Sequence, residues 1–208
     1  MPHLATHIPH RVYGAAASGN CHKVRLALDL LRIPYRWHET DLMRGATRTP
    51  EFMRINPNGK LPVLQIDDHT FLPESNAILC YLADGTDLWP GDRLQRAQAL
   101  QWMFFEQYTH EPAIAVARFI LQFQKAPDDA RLPALHERGH KALAVMEQHL
   151  ARHAFFAAER FSIADIALFA YTHRADEGGF DLAAYPAVQA WLARCRAVPG
   201  VTEMPRPA

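Results

Sequence analysis

Cysteine is scarce in this chain: three among 208 residues, at positions 21, 80 and 195. They are odd in number and far apart. That excludes a disulfide-stapled secreted scaffold and leads us to expect reduced thiols in the cytoplasm. An excess of one charge is missing too. Lys and Arg number 22, as do Asp and Glu, so the formal net charge is zero. With no overall field to draw nucleic acid or an anionic membrane, neither is expected as a partner. Long apolar runs are lacking as well. The longest, residues 113–121, is too short to cross a bilayer and contains Arg118. Residues 1–10 hold no apolar core of the kind a secretory signal needs. There are no internal repeats and no low-complexity tracts.

What is present is strongly patterned. Hydrophobic residues make up 49% of the chain, and its length suits one large or two small domains. The first third alternates strand and helix signals. A strand near 11–14 leads to a helix over about 20–31, where Val24, Ala27, Leu28 and Leu31 form one apolar stripe. A second strand falls near 35–39. Thr49-Pro50-Glu51 starts a helix with a hydroxyl cap, a proline in the first turn and an early acid. Residues 61–66 and 69–72 read as two strands around an Asp67-Asp68 turn, and a helix opens at Glu74. The order βαβαββα predicts an α/β domain with a mixed four-stranded sheet over 10–84.

Residues 85–92 are rich in Gly, Pro and Asp and read as a linker. Beyond it, 93–208 is predicted to be an all-α helical bundle. A long helix covers 93–123, with Pro112 as a break or kink. A second covers 133–152. Ser162-Ile163-Ala164-Asp165 is a capping-box variant ahead of an apolar run, and Tyr185-Pro186 opens the last helix.

Two stretches stand out chemically. Asn56-Pro57-Asn58-Gly59-Lys60-Leu61-Pro62-Val63-Leu64 puts a proline at the entry to an apolar strand. A proline has no N–H for the sheet ladder, which predicts that Leu61 sits near a free sheet edge. Leu72-Pro73-Glu74-Ser75-Asn76-Ala77-Ile78 puts an acid and a hydroxyl at a helix start, where amides without partners attract anions. Joined by a hairpin, the two form a small cradle for a zwitterionic, peptide-like ligand.

This pairing resembles the glutathione site of the cytosolic glutathione S-transferase superfamily. The resemblance runs from about residue 11 to the C-terminus and is most specific in the first eighty residues. It implies a thioredoxin-like N-terminal domain, a cis bond before Pro62, and backbone bonds from Leu61 to the cysteine of glutathione. Glu74 and Ser75 would hold the γ-glutamyl ammonium and carboxylate. Ser18-Gly19-Asn20-Cys21-His22-Lys23-Val24-Arg25 is similar to the catalytic turn of the serine-type classes, such as theta and zeta and their nu-like bacterial relatives. Ser18 falls where the activating hydroxyl sits, and omega-like classes carry a thiol there instead. Lys60 is a candidate for the glycine carboxylate, with Arg48 a further one, and Asn20 joins the glutathione-binding set. The resemblance also implies a homodimer, glutathione as co-substrate, no metal, and a small-molecule electrophile bound between the domains. Tyr108 and Phe104, beside Met103 and Phe119, are the candidates for that pocket.

Each candidate has a plainer reading. Ser18 is a natural helix cap. Cys21, one turn into the same helix, is a rival nucleophile or a small buried residue. His136-Glu137-Arg138-Gly139-His140 matches the H-E-x-x-H zinc signature, with Glu159 as a conceivable third ligand. The chain is rich in histidine, twelve in all, so a chance match is the plainer reading, and the helix already has its own apolar stripe. The function expected is activation of the glutathione thiolate for attack on an electrophile, a role in detoxification. Glutathione-dependent disulfide or peroxide reduction is one alternative, and a non-catalytic transferase-like scaffold is another.

Overall fold

The computed structural model describes residues 10–207. The chain divides into two compact units, with the boundary between Ala83 and Asp84. The first unit also takes in the short segment Met204–Arg206.

The first unit holds a four-stranded mixed sheet. Strand β1 (His10–Gly14) pairs in parallel with β2 (Tyr35–Glu39) and antiparallel with β3 (Val63–Gln65). Strand β4 (Phe71–Pro73) closes the order β2-β1-β3-β4. Between β1 and β2 lies helix α1 (Gly19–Leu30), between β2 and β3 lies α2 (Pro50–Ile55), and after β4 comes α3 (Ser75–Ala83). This is the predicted βαβαββα order, a thioredoxin-like arrangement. Local chemistry sets the element ends. The Thr49 hydroxyl caps α2 by accepting from the Phe52 amide, with Pro50 just inside. The Asp67 carboxylate accepts from the amides of His69 and Thr70 and so turns β3 into β4. The core is apolar: Val12, Val63 and Leu64 from the sheet, Val24, Ala27 and Leu28 from α1, and Ile78, Leu79 and Leu82 from α3, all buried.

The second unit is helical throughout. Helices α4 (Arg93–Phe105), α5 (Glu111–Phe119) and α8 (Pro186–Ala197) pack against α7 (Ile163–Thr172), every residue of which is buried, and α6 (Leu132–Leu150) packs against α5 and α8. A helix apolar all round has to be enclosed. Its start is closed by the capping box read from the sequence. The Ser162 hydroxyl accepts from the Ala164 amide, and Asp165 accepts from the Ser162 amide. Asp165 also accepts from the Phe156 amide and the Trp191 indole. Burial pushes its carboxyl up to about 6, while those donors pull the other way.

Of the break or kink expected at Pro112, the break does not occur; the irregularity there is a π-turn. Helical backbone continues from α4 through a five-residue π-turn, Glu106–His110, into α5. Pro112 offers no N–H and its ring crowds the preceding turn. The backbone answers by widening, so that the Glu111 amide reaches the carbonyl of Glu106, five residues back.

Candidate active site

One rung of the sheet organises the site. Tyr13 pairs with Val63, and Val63 pairs with Pro73. Because β3 runs antiparallel to both neighbours, residues following β1, preceding β3 and following β4 all leave from the same end. Those stretches carry Ser18, Leu61-Pro62 and Glu74-Ser75.

Here one expectation needs correction. Leu61 does not lie on a free lateral edge, because β3 is an inner strand between β1 and β4. Pro62 instead stands ahead of the first paired residue, where the ladder has not begun and an N–H is not required. The Leu61-Pro62 bond is cis. Among the described residues, the half-buried Leu61 makes no backbone hydrogen bond to another residue, so its amide and carbonyl are presented at the strand's leading end. The loop before it is fixed by Asn56, a buried residue that sequence reasoning passed over. The Asn56 amide group donates to the Lys60 carbonyl at 2.8 Å, and its oxygen accepts from the Asn58 amide at 3.1 Å. Gly59 has φ +61°, and a Cβ there would come within 2.5 Å of the Arg48 guanidinium, so Arg48 lies against this loop. The Lys60 side chain is exposed.

Glu74 is not the first residue of α3 but the one before it. Its carbonyl accepts from the Ile78 amide, and its φ is +71°. A left-handed conformation in a non-glycine residue is costly and tends to mark functional positions. It leaves the Glu74 side chain exposed while Ser75 turns inward to 4% exposure. The Ser75 hydroxyl donates to Asn20 Oδ1 at 3.4 Å, so Asn20 and Ser75, 55 positions apart, are joined.

Ser18 is half-buried at the N-cap of α1, and its hydroxyl oxygen accepts from the Cys21 amide at 3.4 Å. Capping uses a lone pair, and the hydroxyl proton is a separate resource. The helix cap and a donor to an anion are therefore compatible roles for one side chain. Cys21 is fully buried, and its thiol is pushed up to about 11 by that burial, against the hydrogen bonds from Ser18 and the Ala15 amide. It stays protonated near neutrality, which removes the rival nucleophile. The loop ahead of Ser18 is held by Glu39, which accepts from the Ala16 amide at 3.0 Å and from the Trp37 indole at 2.7 Å. No local pattern in the sequence pointed to Glu39, since its partner lies 23 positions away.

In the helical unit, Phe104 and Tyr108 are 69% and 85% exposed, four residues apart on one continuous helical stretch. Met103 is instead a core residue, and Phe119 is partly exposed. The H-E-x-x-H motif serves packing. His136 and His140 flank the Phe180 ring, His136 contacts the Gly178 carbonyl, and His140 contacts the Tyr185 hydroxyl. Glu137 pairs with Lys141. Gly139 has no Cβ because one would collide with Phe180.

Comparison with known proteins agrees with this architecture. Residues 17–84 match the model of the glutathione S-transferase N-terminal domain, and residues 129–194 match that of the C-terminal domain. A crystal structure of a glutathione S-transferase from Pseudomonas fluorescens superposes with a TM-score of 0.92. It is 52% identical and covers 95% of this chain and 99% of its own. The theta class glutathione S-transferase of Xanthomonas axonopodis pv. citri, solved with glutathione bound, gives a TM-score of 0.84. It is 28% identical, over 92% of this chain and 94% of that one. The disulfide-bond oxidoreductase YfcG of Escherichia coli is 32% identical over 88% of this chain and 89% of its own length. With both domain models matched and the fold shared over 95% of its length, the chain belongs to the glutathione S-transferase superfamily.

Proposed function

We propose that this protein is a glutathione transferase that activates the thiolate of glutathione for attack on a small electrophile. The observation that carries the proposal is the single rung from which Ser18, the Leu61 backbone and the Glu74-Ser75 pair all depart. In this reading Leu61 forms backbone bonds with the cysteine of the tripeptide. Glu74 and Ser75 hold its γ-glutamyl ammonium and carboxylate, and Lys60 and Arg48 serve its glycine carboxylate. Phe104 and Tyr108 contact the electrophile. Family membership supports a homodimer acting in the cytoplasm in detoxification, and among the described residues no helix is long and apolar enough to cross a membrane.

The chemistry required is modest. A free thiol has a pKa near ~8.5, and only the thiolate attacks. Lowering that value by ~2 units needs about 2.7 kcal/mol of anion stabilisation. A helix N-terminus contributes roughly 0.3–1 kcal/mol. One hydrogen bond to a charged group contributes roughly 1.5–3 kcal/mol. Ser18 sits where it offers both, the proton of its hydroxyl and the start of α1. A protonated Cys21 sulfur is a far weaker competitor for that proton than a thiolate is.

Calorimetry with glutathione tests binding. No heat at millimolar ligand would leave the non-catalytic scaffold as the better account. A second activity, glutathione-dependent disulfide reduction on the same site, is favoured by the likeness to YfcG. Assaying a chlorinated aromatic and a small disulfide side by side separates the two. The transferase reading expects faster turnover of the aromatic.

A further inference from the structure

A lysine is fully buried directly behind this site. Lys23 lies on α1 among Cys21, Val24, Ala27 and Leu28, and none of its surface reaches solvent. Lysine is almost never enclosed unless something uses its charge. Its ammonium donates to Ser75 Oγ at 3.4 Å and to Asn76 Oδ1 at 3.5 Å. These two residues form the first turn of α3, so a positive charge stands beside the positive end of a helix dipole. An anion at that helix start would face the amides of α3 with this ammonium one hydroxyl behind them.

We propose that Lys23 is the positioning residue for the γ-glutamyl end of glutathione, fixing the α-carboxylate by acting through Ser75. The inference rests on the function proposed above and extends it. The serine hydroxyl has one proton and two lone pairs. Lys23 donates to a lone pair, which locks the rotamer of Ser75 and polarises its O–H. The proton rests on Asn20 Oδ1 and turns to the carboxylate when the peptide binds. Because the ammonium is enclosed, salt screens it far less than it would a surface lysine.

The test uses the full chain and two peptides: glutathione, and γ-aminobutyryl-cysteinyl-glycine, which lacks only the α-carboxylate. Wild type is expected to bind glutathione at least about tenfold more tightly than the decarboxy peptide, one charged hydrogen bond's worth. Lys23→Met is expected to weaken glutathione binding by about tenfold and to erase most of that preference. Its kcat at saturating glutathione should stay within about threefold, since the loss is in binding shared by ground and transition states. Lys23→Arg should restore part of the preference. A merely structural lysine would lower the melting temperature or weaken both peptides equally. If Lys23→Met fails to fold, Lys23→Gln, which keeps a donor without the charge, decides, because the preference must fall there as well.

A variant that keeps the wild-type preference overturns the inference and leaves the transferase reading standing. Wild type binding both peptides equally overturns the inference and the assignment of Ser75 to the carboxylate, and leaves thiolate activation standing. Wild type binding neither overturns the inference and the transferase reading together.

Discussion

Two helices in this molecule begin with a serine and an acid, and they use the pair in opposite ways. At α7, the Ser162 hydroxyl caps the Ala164 amide, Asp165 accepts from both the amide and the hydroxyl of Ser162, and further donors converge on the acid until nothing of either side chain meets solvent. At α3, Ser75 turns inward toward Asn20 and Lys23, while Glu74 points outward from a left-handed backbone. The first start is closed and contributes stability. The second keeps its acid available and carries strain. Where a cap is completed by its own chain it builds a fold, and where it is left incomplete it has room for a ligand.

The largest effect expected from breaking this contrast is on the closed side. In Asp165→Asn, one oxygen becomes an amide that faces donors. Leaving those donors unpaired costs about 2–4 kcal/mol, or a fall in Tm of roughly 5–15 °C at this size. Thermal melts check it, and the glutathione affinity of the folded fraction should not change. An equally large loss of affinity would mean that the two helix starts are not independent.

Next in size is Ser18→Ala. The expected drop in kcat/KM is about 10–100-fold, matching roughly 1.5–3 kcal/mol for one charge-assisted hydrogen bond. The lost cap costs about 1 kcal/mol of stability. Unchanged turnover would remove the serine from the chemistry and leave it a cap alone.

Glu74→Gly sharpens the open side. Glycine adopts φ +71° without penalty, so stability should rise by up to ~1 kcal/mol. Glutathione affinity should fall about tenfold with the loss of the charged contact. Stability and binding moving in the same direction would count against the trade between strain and ligand.

The smallest expected effect is a non-reaction. Burial holds the Cys21 and Cys195 thiols well above their ordinary range, and that of the half-buried Cys80 is raised as well. The native protein in iodoacetamide at pH 8 should label slowly and only at Cys80, while the denatured chain should label at all three. Mass spectrometry of the digest distinguishes these outcomes. Rapid labelling of Cys21 would restore it as a nucleophile.

Much of the architecture could be read locally. Thr49-Pro50, Asp67-Asp68 and Ser162 through Asp165 carry their own hydrogen-bond solutions, so their turns and helix starts were visible one segment at a time. Pairing between distant strands was not. A proline before β3 looked like a sheet edge, because nothing near it tells that β1 and β4 flank that strand. Pro112 suggested a break or a kink and not a π-turn in particular, because a π-turn has no sequence signature of its own. The stretches carrying Ser18, Leu61-Pro62 and Glu74-Ser75 could be picked out, but their departure from one rung could not. Lys23 escaped notice although it adjoins the apolar stripe of α1. Its place on the helix was a signal, and its charge argued the wrong way.

The shared rung has a last consequence. Positions 18, 61 and 75 are remote along the chain yet meet at one end of three neighbouring strands. A peptide lying across them works as a removable cross-link, tying together segments that an unfolded chain would let drift apart. On the proposed reading, its occupancy would raise resistance to unfolding by mass action, and the supply of the tripeptide would set how much of that protection each molecule has.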